Sequence, residues 1–118
     1  MSEYIDGFAF PIPIDKIDNY RALSKSVAAI WREHGALDYR EYIGDDMHLE
    51  GTLSFTENIS ASKDEVVVFG WVTFESKQSR DMINKKVAAD LRVTELMVKS
   101  NSGFDASRMV YGGFKAFI

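Results

Sequence analysis

Nine consecutive residues, Val66-Val67-Val68-Phe69-Gly70-Trp71-Val72-Thr73-Phe74, offer water almost nothing on either side of an extended chain. A strand of this kind has to be covered on both faces, which predicts a central strand with one packed layer above it and another below. The chain has 118 residues, 46% of them hydrophobic. It is expected to form a single domain over positions 1–118 that buries about two thirds of the surface its unfolded form exposes.

The flanking sequence supplies one of the two layers. Residues 4–13 alternate as a strand would, with Tyr4, Asp6, Phe8, Phe10 and Ile12 opposed to Ile5, Gly7, Ala9 and Pro11. Pro11 and Pro13 stop that strand or confine it to an edge. Asp15 is expected to cap a helix whose stripe of Ile17, Tyr20, Leu23, Val27, Ile30 or Trp31, and His34 recurs at spacings of three and four until Gly35 ends it. Leu37 to Ile43 alternates again. Positions 45–65 are polar and too long for a structureless connection, which predicts a short element within them or a functional lid. Ser76 is expected to cap a second helix carried by Met82, Ile83, Val87 and Ala88. A further helical segment from Leu91 to Val98 and a last strand from Arg108 to Phe117 complete the chain.

Strand, helix, strand and then the same again describe an α+β fold, the ferredoxin-like βαββαβ sandwich, in which a four-stranded antiparallel sheet carries two helices on one face. The other face then stays bare, although the central run is apolar on both. An identical subunit related by two-fold symmetry would cover it most simply. The expected assembly is therefore a homodimer, with the two chain ends as neighbouring strands in the middle of the sheet.

Several function classes are disfavoured. Fourteen basic against eighteen acidic residues give a net charge of -4, the wrong sign for holding nucleic acid by counterion release, so no nucleic-acid partner is expected. Cysteine is absent, which excludes thiol nucleophiles, thiolate metal sites and disulfides. The start MSEYIDGF lacks a basic segment followed by an apolar one, and no run approaches the roughly 20 apolar residues that span a bilayer. No membrane association is expected, and the cytoplasm is the default compartment.

Five segments carry a resemblance. Tyr4-x-Asp6-Gly7-Phe8, Trp31-Arg32-Glu33-His34-Gly35-Ala36-Leu37, Glu65-Val66-Val67-Val68-Phe69-x-Trp71, Arg80-Asp81-x-x-Asn84-x-Lys86 and Phe104-Asp105-x-x-Arg108-Met109-Val110-Tyr111-Gly112-Gly113-Phe114 run in order over nearly the whole chain. Together they resemble the YbaA-like family of uncharacterised bacterial proteins, grouped with the dimeric α/β-barrel superfamily. The resemblance implies the dimeric barrel and no established activity. That superfamily includes cofactor-independent monooxygenases, isomerases and haem-dependent members.

The candidate site residues follow from residues out of place. Asp6 is a carboxylate inside an apolar strand, so it must be paired, hydrogen-bonded or held protonated. A buried pair with Arg108 or Arg40 and a role as general base or ligand acceptor are both open. Trp71, Tyr111, Phe8 and Tyr39 are aromatics that strand alternation could aim into a common space between sheets. Gly7, Gly70, Gly112 and Gly113 lie inside strands and mark a bend or the close approach of something bulky. Arg80 and Asn84 stand one helical turn apart and could reach a shared partner, although the amphipathic pattern predicts that they face solvent or the dimer edge. His34 is expected to cap its helix, and His48 beside Asp45 and Asp46 is too sparse for a metal site. Phosphate loops and serine-centred elbows are missing, no cofactor is implied, and no residue is assigned as catalytic.

Two functions lead, beside a third reading as a purely structural dimer or adaptor. One is a dimeric binding module whose inter-sheet cavity takes a small apolar or aromatic molecule, with Asp6 and Arg108 as polar anchors and Trp71, Tyr111, Tyr39 and Arg40 around it. The other is a small enzyme of the dimeric α/β-barrel type, a cofactor-independent monooxygenase or isomerase, and rests on likeness of fold alone.

Overall fold

A computed structural model describes residues 3–118. Met1 and Ser2, part of the start read for a targeting segment, lie outside the described residues. The elements are β1 (Tyr4–Pro13), α1 (Ile17–Glu33), β2 (Asp38–Ile43), α2 (Phe55–Ile59), β3 (Glu65–Phe74), α3 (Lys77–Ala88), α4 (Leu91–Lys99) and β4 (Val110–Lys115). The four strands form one antiparallel sheet in the order β2-β3-β1-β4. The apolar run is central, as its composition requires.

β1 pairs with β3 along its whole length, from Tyr4 opposite Phe74 to Pro13 opposite Glu65, but with β4 only as far as Ala9 opposite Val110. Pro11 and Pro13 therefore lie where no strand follows on the outer side and no ladder N–H is missed. The chain ends are neighbours, yet β4 is the edge of the sheet and not part of its middle, which corrects that expectation. A second correction concerns Asp15. The chain turns out of β1 at Pro13 straight into a 3-10 turn, Ile14–Lys16, which takes Asp15 inside it, and α1 begins without a side-chain cap. Gly35 ends α1 as expected, at φ +118, with Ala36 N–H donating to Trp31 O at 3.0 Å. Ser76 caps α3 by accepting from Ser79 N–H at 3.0 Å.

Alternation sorts the strands into two faces. Phe10, Ile12 and Phe74 lie against the helices and are the largest side chains fully withdrawn from water, each stabilising the fold by about 1.5–3 kcal/mol. The ring of Phe10 meets Tyr20 of α1 edge-on at 5.4 Å and Phe104 at 4.9 Å, and Trp31 meets Phe74 at 6.0 Å.

The opposite face is covered only at one end. There the 45–65 segment folds α2 onto the sheet and buries Ile59 against Ala9 and Val67. It is thus a cover for the sheet. Beyond it Tyr42 stacks on Trp71 at 5.4 Å and Phe69 meets Trp71 at 6.0 Å, with Val110 and Phe114 also exposed on the same face. The strand glycines serve close approach by the chain's own side chains. Gly7 stands opposite Gly112, and the Phe114 ring crosses both, 3.4 and 3.1 Å from where their Cβ atoms would be. A Cβ on Gly113 would meet the Tyr4 hydroxyl and Arg80. Among the described residues, no helix is long and apolar enough to cross a membrane.

Candidate functional site

A cavity of about 390 Å³ lies between the sheet and its helices, within the range of small-molecule sites. Its floor is Phe8 and Phe10 of β1, Tyr39 of β2 and Val72 of β3. Its roof comes from Leu23, Val27 and Trp31 of α1, and Met97 of α4, Phe104 and Met109 wall one side. The lining is overwhelmingly apolar because it is the inward stripe of α1 facing the inward positions of three strands. A few polar groups interrupt it: Asp6, Tyr111, Asn84 and the α1 face of Tyr20 and Ser24.

Asp6 is 4% exposed. Its Oδ1 accepts a hydrogen bond from the Tyr111 hydroxyl at 2.7 Å, and Arg80 Nε lies 3.7 Å away. Arg80 is held in turn by Tyr4, donating Nη2–H to the hydroxyl at 2.9 Å with its guanidinium carbon 4.9 Å from the ring centre. A buried carboxylate is tolerated because one donor and one cation reach it. Burial, followed by the hydrogen bond to Asp6, pushes the Tyr111 phenol up to about 12. Two buried polar atoms lack hydrogen-bond partners among the described residues, Arg80 Nε and Asn84 Oδ1. Asn84 also lines the cavity.

A second carboxylate, Glu41 of β2, accepts from Tyr20 and Ser24 of α1. Burial first and the Glu41 charge second push the phenols of Tyr20 and Tyr39 far above their ordinary value. The Tyr20 hydroxyl serves as a neutral donor, and its hydrogen bond and that of Ser24 tie α1 to the sheet beside the cavity.

The structure separates residues that the sequence reading grouped. Asp6, Tyr111 and Tyr39 share the cavity. Trp71 does not, because it stands opposite Gly7 and Arg40 on the face away from the helices. Arg40 pairs with Asp38 at 2.9 Å on that face. Arg108 forms a two-pronged pair with Glu65, at 2.7 and 3.0 Å, and donates to Ser60 O. Neither arginine is the partner of Asp6, and Asp6 and Arg108 are not joint anchors of one site. Arg80 is that partner, and with Asn84 it turns toward the sheet instead of toward solvent, correcting the reading of α3. The cavity of the single subunit is also between sheet and helices, where a space between two sheets was expected. The signal for Arg80 and Asn84 was their one-turn spacing; what it lacked was the direction of that face.

His34 follows α1 and its Nε2 lies 2.7 Å from Asp90 Oδ2. Glu33, His34 and Asp90 bring their ligand atoms within 4.8 Å of one another. Arg92 already bridges Glu33 and Asp90, so an internal cation balances this cluster. The Arg92 hydrogen bond, then that of His34, holds the Asp90 carboxyl well below the usual carboxylate range.

Fold and cavity together define a ferredoxin-like α+β sandwich with a largely apolar interlayer cavity. The chain belongs to the DUF1428 family, described as proteins of unknown function, whose sequence pattern matches residues 3–106. It is 36% identical over 116 residues to the uncharacterised protein YbaA of Escherichia coli K12 and equally to that of Shigella flexneri, covering 98% of this chain and 97% of the relative in each case. Solved structures share the fold. A mutant of SnoaB, a cofactor-independent oxygenase from Streptomyces nogalater, has a TM-score of 0.60 at 9% identity, covering 98% of this chain and 94% of its own. A nipsnap family protein of unknown function from Agrobacterium tumefaciens has a TM-score of 0.58 at 14% identity, covering 97% and 87%. Rv0793 from Mycobacterium tuberculosis has a TM-score of 0.53 at 13% identity, covering 99% and 95%.

Proposed function

We propose that this chain is a cytoplasmic, single-domain homodimer that binds a small apolar or aromatic molecule between its sheet and its helices. The observation that carries the reading is the apolar cavity closing on Asp6, a buried carboxylate fixed by Tyr111 and Arg80. Aromatic walls supply most of the affinity and a few placed polar groups fix orientation. Tyr39 and Tyr111 belong to the lining. Trp71 and Arg40 belong to the bare sheet face, which a second copy of the chain covers, as the exposed Tyr42, Phe69, Val110 and Phe114 there favour.

Native mass spectrometry of freshly purified protein tests both parts, with a dimer carrying extra mass that is lost on denaturation as the expected result. A Trp71→Phe variant adds a titration, because Trp31 then alone reports the cavity: small aromatic molecules should quench its emission saturably. A monomer would overturn the assembly, and unsaturable quenching by every probe, with no extra mass, would overturn the binding site.

A second reading has one observation in its favour: the Asp6 carboxylate, buried in its strand, lines an apolar cavity. SnoaB, a cofactor-independent oxygenase, shares the fold. On this reading Asp6 removes a proton from an acidic position of an electron-rich aromatic substrate, and the Tyr111 hydrogen bond orients the carboxylate. Oxygen uptake on adding such substrates, abolished by Asp6→Asn with the fold retained, is the expected result. Uptake that survives Asp6→Asn would remove the residue from the chemistry.

A further inference from the structure

The Asn84 amide is the feature of the cavity that the fold itself does not explain. Most polar groups at the cavity have internal partners. Tyr111 is committed to Asp6, and Tyr20 and Ser24 to Glu41. Asn84 Oδ1 is buried, has no hydrogen-bond partner among the described residues, and belongs to a side chain that lines the cavity. Leaving such a group unsatisfied costs about 1–3 kcal/mol, and an apolar residue at this inward position of α3 would avoid that cost. The cavity's charge is spoken for as well. Asp6 carries the negative charge, Arg80 Nε stands 3.7 Å from it and 3.4 Å from Asp81, and Arg80 is not among the lining residues.

We infer that Asn84 is the specificity-determining residue of this cavity, reading a neutral hydrogen-bonding substituent on an otherwise apolar ligand and leaving organic acids outside. The inference rests on the binding reading above and adds the chemical class of the ligand. The Asn84 Oδ1 can accept from an uncharged hydroxyl without bringing charge into an apolar space. A carboxylate ligand would enter beside Asp6 with no free cation to meet it, and its desolvation would be uncompensated. The apolar body of the ligand lies against Phe8, Trp31 and Val72, and its polar edge points to α3.

Three probes of one shape separate the possibilities: naphthalene, 2-naphthol and 2-naphthoate, titrated against the Trp71→Phe protein by Trp31 quenching. Naphthol should bind about tenfold more tightly than naphthalene, the ratio one buried hydrogen bond gives, and naphthoate more weakly than either. Asn84→Leu should erase the naphthol advantage by raising naphthalene affinity and lowering that of naphthol. The comparison of the three probes on the Trp71→Phe protein stands even if that variant fails to fold, and Asn84→Ser supplies a second variant that shortens the side chain and should narrow the ratio. Saturable binding of all three probes with equal affinity, or tightest binding of naphthoate, would overturn the inference while leaving the binding site in place. An Asn84→Leu protein that folds and keeps the full naphthol preference would also overturn it. Failure of all three probes to bind would remove the binding reading and this inference with it.

Discussion

The phenol of Tyr111 and the carboxylate of Asp6 meet at 2.7 Å across 105 positions of sequence, joining the first strand to the last at the cavity. The register, with Gly113 opposite Asp6 and Tyr111 opposite Phe8, puts the two side chains on the same face one pair apart, and the missing side chain of Gly113 leaves room for Tyr4 and Arg80 beside them. Tyr111→Phe should lower stability by about 1 kcal/mol, a charged hydrogen bond reduced by the partial exposure of Tyr111. Urea unfolding at neutral pH checks it. The fold favours the neutral phenol, so its contribution is complete below the ordinary value of 10 and is lost as pH rises through about 12. Wild-type stability should therefore fall over that alkaline interval by more than that of Tyr111→Phe, and equal slopes would argue against the hydrogen bond.

Arg108 should behave as a structural residue and not as a ligand anchor. Its hydrogen bonds, followed by the Ser62 backbone N–H, hold the Glu65 carboxyl down to about 2. The ionised form is the one the fold favours, so the stabilisation is present above about 4.5 and is lost as pH falls toward 2. Arg108 is 36% exposed, and solvent screening weakens the pair. Arg108→Ala should lower the urea midpoint modestly at pH 7, lose little more than that on acidification to pH 3, and keep its affinity for cavity probes. A large drop in affinity with unchanged stability would return Arg108 to the site.

How much of this was legible in the sequence depends on which geometry a pattern encodes. Period-two alternation placed Asp6, Phe8 and Phe10 on one face of β1, and the uninterrupted apolar run made β3 central. Neither says which face the helices take, so Trp71 and Tyr39 could be grouped although the register puts them on opposite sides of the sheet. Asp6 announced itself by being charged in an apolar strand. Its partner did not, because Arg80 is far away in sequence and arrives only through the docking of α3. Amphipathicity favoured solvent for Arg80 and Asn84, and the demand of a buried carboxylate outweighed it. Arg108 follows Asp105 in a 3-10 turn, Ala106–Arg108, that aims it at β3, a local geometry with no periodic signature.

The exposed aromatic face makes assembly testable apart from binding. Phe69 lies in the middle of that face on β3, is 41% exposed, and touches Phe55 and Trp71 at ring distances of 5.7 and 6.0 Å. Phe69→Glu should convert the dimer to a monomer in sedimentation velocity, because a charge buried without a partner costs more than a typical interface residue contributes. Its side chain points away from the cavity, so Trp31 quenching by a bound probe should persist. A Phe69→Glu protein that remains dimeric would place the interface elsewhere.

Asp90 is expected to govern how firmly α4 closes the cavity. It accepts from Arg92 N–H at 3.0 Å as the cap of α4, pairs with the Arg92 side chain, and meets His34 at the end of α1. α4 has no fully buried residue of its own, so this cluster and its packing on α1 carry its position, and Met97 reaches the cavity from it. Asp90→Ala removes the cap and the ion pairs together and should loosen α4 ahead of the rest of the molecule. The loss should appear first as faster amide exchange over Leu91–Lys99, with β1 and β3 unaffected. The Asp90 carboxyl is held low, so the wild-type protein has this stabilisation above its ordinary value near 3.8 and loses it as pH falls further. Exchange that quickens equally in all elements would mean that Asp90 stabilises the whole fold and that α4 has no separate mobility at the cavity wall.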